Sequence, residues 1–112
     1  PSFAKRGANR PPRPSRLTIE DRGQYLEASW TMPSSWNSSK GTFNLYVSVP
    51  GGNSAGENFL LATLIPSTRY TFSKELLQPF SRAKTLQFRV EASNRSYVRG
   101  EASEAAILVK GN

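Results

Sequence analysis

The sequence predicts an all-β chain folded as one antiparallel sandwich, and three observations carry that expectation. Apolar residues recur at every second position in short runs. Turn-forming residues end each run after about five to eight positions, and no segment keeps an apolar stripe at helical spacing over three turns. A strand with one apolar face has to hide that face against a second layer, so many such strands together make a sandwich or a barrel.

The runs are taken in order. Leu17 and Ile19 alternate with polar neighbours until Asp21-Arg22-Gly23 interrupts them. Leu26, Ala28 and Trp30 follow at the same spacing and end at Met32-Pro33 and the polar stretch SSWNSSKG. Phe43, Leu45, Val47 and Val49 form the longest series, stopped by Pro50-Gly51-Gly52, which cannot continue a ladder. After a glycine-rich loop the denser segment NFLLATLI closes at Pro66, and Tyr70 and Phe72 mark the next strand. SKELLQPFSRAK has room for one helical turn, limited by Pro79. Leu86, Phe88, Val90 and Ala92 alternate strictly with Gln87, Arg89 and Glu91, and AAILV at 105–109 is the last strand. Seven strands are therefore expected. A chain of 112 residues is one ordinary domain, and it buries roughly 65% of the surface its unfolded form exposes.

Composition excludes several classes of function. Cysteine and histidine are both absent, which removes disulfides, thiolate metal sites and the commonest general base. No apolar run approaches the ~20 residues that span a bilayer, so no membrane insertion is expected. No segment reads as a signal peptide; the chain fits a mature or excised form, and Pro1 also fits the loss of an initiator methionine. The net charge is +7. Lys5, Arg6, Arg10 and Arg13 fall in residues 1–14, which hold no acid, so more than half of the excess sits on one-eighth of the chain. Pro11, Pro12 and Pro14 make this stretch extended. The expected organisation is a basic arm over 1–14 and a sandwich body over 15–112.

At this point the residues resemble the fibronectin type III family over roughly residues 12–109. The matching features are Pro11-Pro12-Arg13-Pro14 before the first strand and the run from Leu26 through Trp30 to Pro33 in the second. Leu77-Gln78-Pro79 precedes the sixth strand, which reads Phe88-Arg89-Val90-Glu91-Ala92-Ser93-Asn94, and Gly100 and Ser103 precede the seventh. The resemblance implies a seven-stranded sandwich of fibronectin type III or immunoglobulin-like type, used as a spacer, adhesion or recognition module. Three departures stand out. The family's corner tyrosine is replaced by Leu86, the connection from Pro79 to Leu86 is long, and segment 57–65 is apolar for an edge strand.

Candidate sites are sparse. Glu27 and Glu91 alternate with core residues and are expected on a solvated face. Gly51-Gly52 lacks the lysine and helix of a phosphate loop, and no calcium loop of closely spaced acids occurs. The chain is not expected to be an enzyme, to bind a metal or cofactor, or to take a small-molecule substrate. The arm is a candidate docking element through Phe3, Lys5, Arg6, Arg10 and Arg13, with Phe3 as an apolar anchor. The loop before the last strand offers Arg95, Tyr97 and Arg99 as a contact patch. Arg99-Gly100-Glu101 resembles an adhesive Arg-Gly-Asp tripeptide, but the acid is wrong. Trp36 is expected to cap the sandwich end, and arginines 69, 89, 95 and 99 would form a basic face if register brings them together. Asn37-Ser38-Ser39 and Asn94-Arg95-Ser96 fit the glycan acceptor pattern, which arises easily in a serine-rich chain. The expected function is a non-catalytic protein-interaction or structural module in a larger assembly, on a virion or extracellular surface rather than in the cytoplasm. The alternative is binding of a polyanion, such as nucleic acid, through the arm.

Overall fold

The computed structural model describes residues 10–50 and 58–110. Seven strands form where the alternating and apolar runs place them: β1 Ser15–Asp21, β2 Tyr25–Thr31, β3 Gly41–Ser48, β4 Phe59–Ile65, β5 Arg69–Ser73, β6 Thr85–Asn94 and β7 Ala106–Val109. They make two antiparallel sheets, ordered β1-β2-β5 and β4-β3-β6-β7. The placement of β4 beside β3 separates this arrangement from the immunoglobulin constant type, in which the fourth strand joins the other sheet.

The inward residues are the ones the period of two selects. Leu26, Ala28 and Trp30 of β2, Phe43, Leu45 and Val47 of β3, and Leu86, Phe88, Val90 and Ala92 of β6 are all buried. Trp30 meets the edge of Phe43 with ring centroids 5.2 Å apart, and Trp36 meets it from the other side at 5.3 Å, so Trp36 closes the end of the core. Phe72 crosses from β5 to Phe88 at 6.2 Å. Each such side chain stabilises the fold by about 1.5–3 kcal/mol through burial alone, and together they join the two sheets.

Three expectations are corrected by tertiary detail. The segment around Leu77 forms more than one helical turn. Lys74–Phe80 is a 3₁₀ segment, begun by Ser73, whose hydroxyl accepts from the Glu75 amide at 3.1 Å, and pinned by buried Leu77. Pro79 is tolerated because it lies in the last turn of the segment. Glu27 and Glu91 are not on a solvated face, since their side chains are only 13% and 11% exposed. The four arginines do not share a face either. Arg69 lies on β5 in the three-stranded sheet, Arg89 and Arg99 face outward from the other sheet, and Arg95 sits in the turn beyond β6.

Leu86 replaces the corner tyrosine and is fully buried. The long connection is instead tied from β7: the Lys110 amide donates to the Lys84 carbonyl at 2.8 Å, and its Nζ donates to the Phe80 carbonyl at 2.6 Å. Edge strand β4 exposes Leu60 and Leu64. Its pairing with β3 is broken by register shifts, and Leu64 has a left-handed backbone (φ 56). Such bulges bend an edge away from straight pairing with another chain.

Candidate functional site

The loop end of the sandwich is built from three connections. The first is residues 10–14. Pro11 and Pro14 are buried, and Arg13 Nε donates to the Ala102 carbonyl at 2.8 Å. Gly100 permits this approach, since a Cβ there would lie 2.5 Å from the Pro11 carbonyl oxygen. The second is the link from β2 to β3, which closes in a 3₁₀ turn, Ser38–Lys40, capped by Asn37. Lys40 Nζ donates back to the Ser35 carbonyl at 2.7 Å.

The third is the turn beyond β6. Asn94 organises it: its side-chain Oδ1 accepts from the Ser96 amide at 2.8 Å and the Val98 amide at 3.0 Å. Its carbonyl accepts from the Tyr97 amide at 2.9 Å, and its own amide donates to the Val98 carbonyl at 3.0 Å. Tyr97 at the tip has φ 63 and is 78% exposed. A left-handed backbone is routine for glycine and tolerable for asparagine, but it costs a bulky residue roughly 1–2 kcal/mol. Both acceptor-pattern asparagines, Asn37 and Asn94, thus use their side chains to shape turns.

Arg10, Lys40 and Arg95 come together around a groove of about 560 Å³ between these connections, with Ser35, Ser39 and Ser96 beside them. Arg99 points elsewhere, to the outer face of the four-stranded sheet, 3.9 Å from Glu91. Arg13 is held against the body. Phe3, Lys5 and Arg6 lie outside the described residues. Of the residues singled out in sequence, the fold therefore unites Arg10 with Arg95 and adds Lys40, which lay in a run that offered no spacing signal.

A second set of residues was not legible in sequence. Glu91 Oε2 accepts from Tyr46 Oη at 2.7 Å and Asn44 Nδ2 at 3.0 Å, and Thr63 Oγ1 donates to Asn44 Oδ1 at 2.6 Å. Burial, and then the hydrogen bond to the Glu91 carboxylate, push the Tyr46 hydroxyl pKa above its ordinary value, with Arg99 opposing. Only the register that sets Asn44 opposite Glu91 and Tyr46 opposite Arg89 assembles this network.

Three of the other acids are ion-paired. Glu20 and Glu27 are cross-strand neighbours, bridged by Arg22 at 3.4 and 2.8 Å, with Arg69 3.3 Å from Glu27. Asp21 and Glu75 line a depression of about 490 Å³ at the opposite end, over Leu26 and Leu77. There Lys74, 2.9 Å from Asp21, and the Gly23 amide hold the Asp21 carboxyl below its ordinary pKa, so it is not poised to exchange a proton near neutrality. Among the described residues no group of three or more Asp or Glu side chains is placed to hold a metal, and no helix is long and apolar enough to cross a membrane.

No protein-family model matches the chain, and no curated protein does. Solved structures do. The fibronectin type III domain of human fibronectin type III domain containing protein 3 superposes with a TM-score of 0.64 at 16% identity, covering 90% of this chain and 86% of that one. A titin module, A71, from human cardiac muscle gives 0.61 at 15% identity, over 86% and 88%. The pectate lyase Pel3 of Pectobacterium carotovorum gives 0.57 at 16% identity over 90% of this chain, which spans 28% of that enzyme's length. Identities this low speak for architecture rather than activity. With β4 on the sheet of β3, β6 and β7, the chain has the fibronectin type III fold.

Proposed function

We propose that this protein is a non-catalytic protein-interaction module whose contact surface is the loop end of the sandwich, with residues 1–14 as a tether to a larger assembly. Tyr97 carries this reading. It is an aromatic side chain, 78% exposed, at the tip of a turn that Asn94 holds rigid. It occupies a backbone conformation that glycine or asparagine would adopt at lower cost. Strain retained under an exposed aromatic is the pattern of a contact residue rather than of a stabilising one. The neighbouring Arg95 and the arm residue Arg10 add the residue type most enriched with tyrosine at interfaces. A virion or an extracellular multidomain protein suits a module of this kind.

The experiment is affinity capture with the full chain and with Tyr97→Asn, followed by titration of the purified partner against both. Asparagine keeps the turn, relieves the strain and removes the ring. The variant is expected to unfold at the same or a higher denaturant concentration while binding its partner at least about tenfold more weakly, as loss of a central aromatic contact does. Equal binding by both proteins refutes the assignment.

A further inference from the structure

We infer that the groove between residues 10–12, the β2–β3 connection and the β6–β7 turn seats an acidic peptide segment of the partner protein, an inference that rests on the interaction reading above. Arg10, Lys40 and Arg95 converge on it, and no aspartate or glutamate lines it. None of the three makes an ion pair among the described residues, whereas Glu20, Asp21, Glu27 and Glu91 each have a cation within 3.9 Å. The groove thus concentrates unneutralised positive charge beside the hydroxyl groups of Ser35 and Ser96, which complement an oxyanion.

The cations are also positioned in advance. Lys40 closes the turn capped by Asn37 and is bonded to the Ser35 carbonyl. Arg95 follows the residue that fixes its turn. Arg10 precedes Pro11, which is wedged over Gly100. A ligand that meets such a set loses less in ordering it.

The distribution of charge selects the partner class. Arg82 and Lys84, which make no ion pair among the described residues, lie just before β6, whereas Arg95 lies just after it. A ten-residue strand separates them by about 30 Å. Among the described residues the cations between them thin out to Arg89 in mid-strand and Arg99 beside Glu91, so the groove is a local patch and not part of the closely spaced track that a phosphodiester backbone follows. A short anionic stretch in the groove, with Trp36 on its wall for apolar contact, matches carboxylate side chains on a protein, which arginine binds as a fork.

The test uses the full-length, nitrogen-15-labelled protein with a deca-glutamate peptide and with oligothymidylate of matching charge. The peptide is expected to shift the amides of Lys40, Arg95 and Ser96 saturably and to lose affinity as salt is raised. The double substitution Lys40→Glu/Arg95→Glu is expected to weaken it by about tenfold, while Arg82→Glu/Lys84→Glu, with the same change in net charge, leaves it intact. The inference is overturned if the peptide gives no saturable shift, if both double variants lose it equally, or if oligothymidylate occupies the groove as tightly. Running partner capture on the same variants separates this inference from the broader reading. A partner lost by Tyr97→Asn but kept by Lys40→Glu/Arg95→Glu sinks the groove alone, and a partner kept by both sinks both.

Discussion

Replacing Glu91 with alanine tests the sheet face that anchors the β6–β7 loop. In the fold its carboxylate accepts from Tyr46 at 2.7 Å and from Asn44 at 3.0 Å, and both it and Asn44 are 8% exposed. A hydrogen bond to a charged group contributes about 1.5–3 kcal/mol, and a buried amide left without a partner costs about 1–3 kcal/mol. The Tyr46 hydroxyl is partly exposed and regains water, so its loss is the smaller part; Asn44 has no such recourse. Arg99, 3.9 Å away with a 66% exposed side chain, adds little, because water and salt screen an exposed pair. The expected cost of Glu91→Ala is therefore about 2–4 kcal/mol, or a fall in melting temperature of order 10–20 °C. Glu91→Gln, which keeps an acceptor, should cost about 1 kcal/mol, and Arg99→Ala should leave the midpoint nearly unchanged. Urea unfolding followed by the fluorescence of Trp30 and Trp36 measures all three, with an unchanged slope showing that only stability moved. A Glu91→Ala midpoint within about 0.5 kcal/mol of the parent, the range of an ordinary surface substitution, would falsify the buried-network account.

Two further predictions concern the same sheet. Gly41→Ala would drive a Cβ into the Ser93 carbonyl oxygen, a backbone atom that cannot step aside. It should lower stability by about 1–3 kcal/mol in chemical denaturation, and an unchanged midpoint would mean that β3 and β6 are further apart than described. Tyr46 gives a pH dependence. Its folded pKa is raised, so the neutral hydroxyl is the form the fold favours. Its contribution is complete below the ordinary tyrosine value of about 10 and is lost as pH rises through the higher folded value. Stability measured on the alkaline side should fall more steeply in the parent than in Tyr46→Phe, and an identical slope refutes the assignment.

Alternation of side chains was enough to determine five of the seven strands, which of their residues point inward, and the two-layer architecture, because a period of two is imposed by the backbone of each strand alone. β4 and β7 were legible as short apolar runs between turn residues. Proline and glycine punctuation likewise fixed where strands stop. The period cannot say what covers an outward residue. Glu27 and Glu91 have the same sequence signature and similarly covered side chains, 13% and 11% exposed, yet arginines cover the first and Asn44 and Tyr46 the second. That difference depends on which residue of β3 lies opposite which of β6. The same reason applies to the groove. Arg10, Lys40 and Arg95 are far apart along the chain, and only the packing of three connections at one end of the sandwich makes them neighbours.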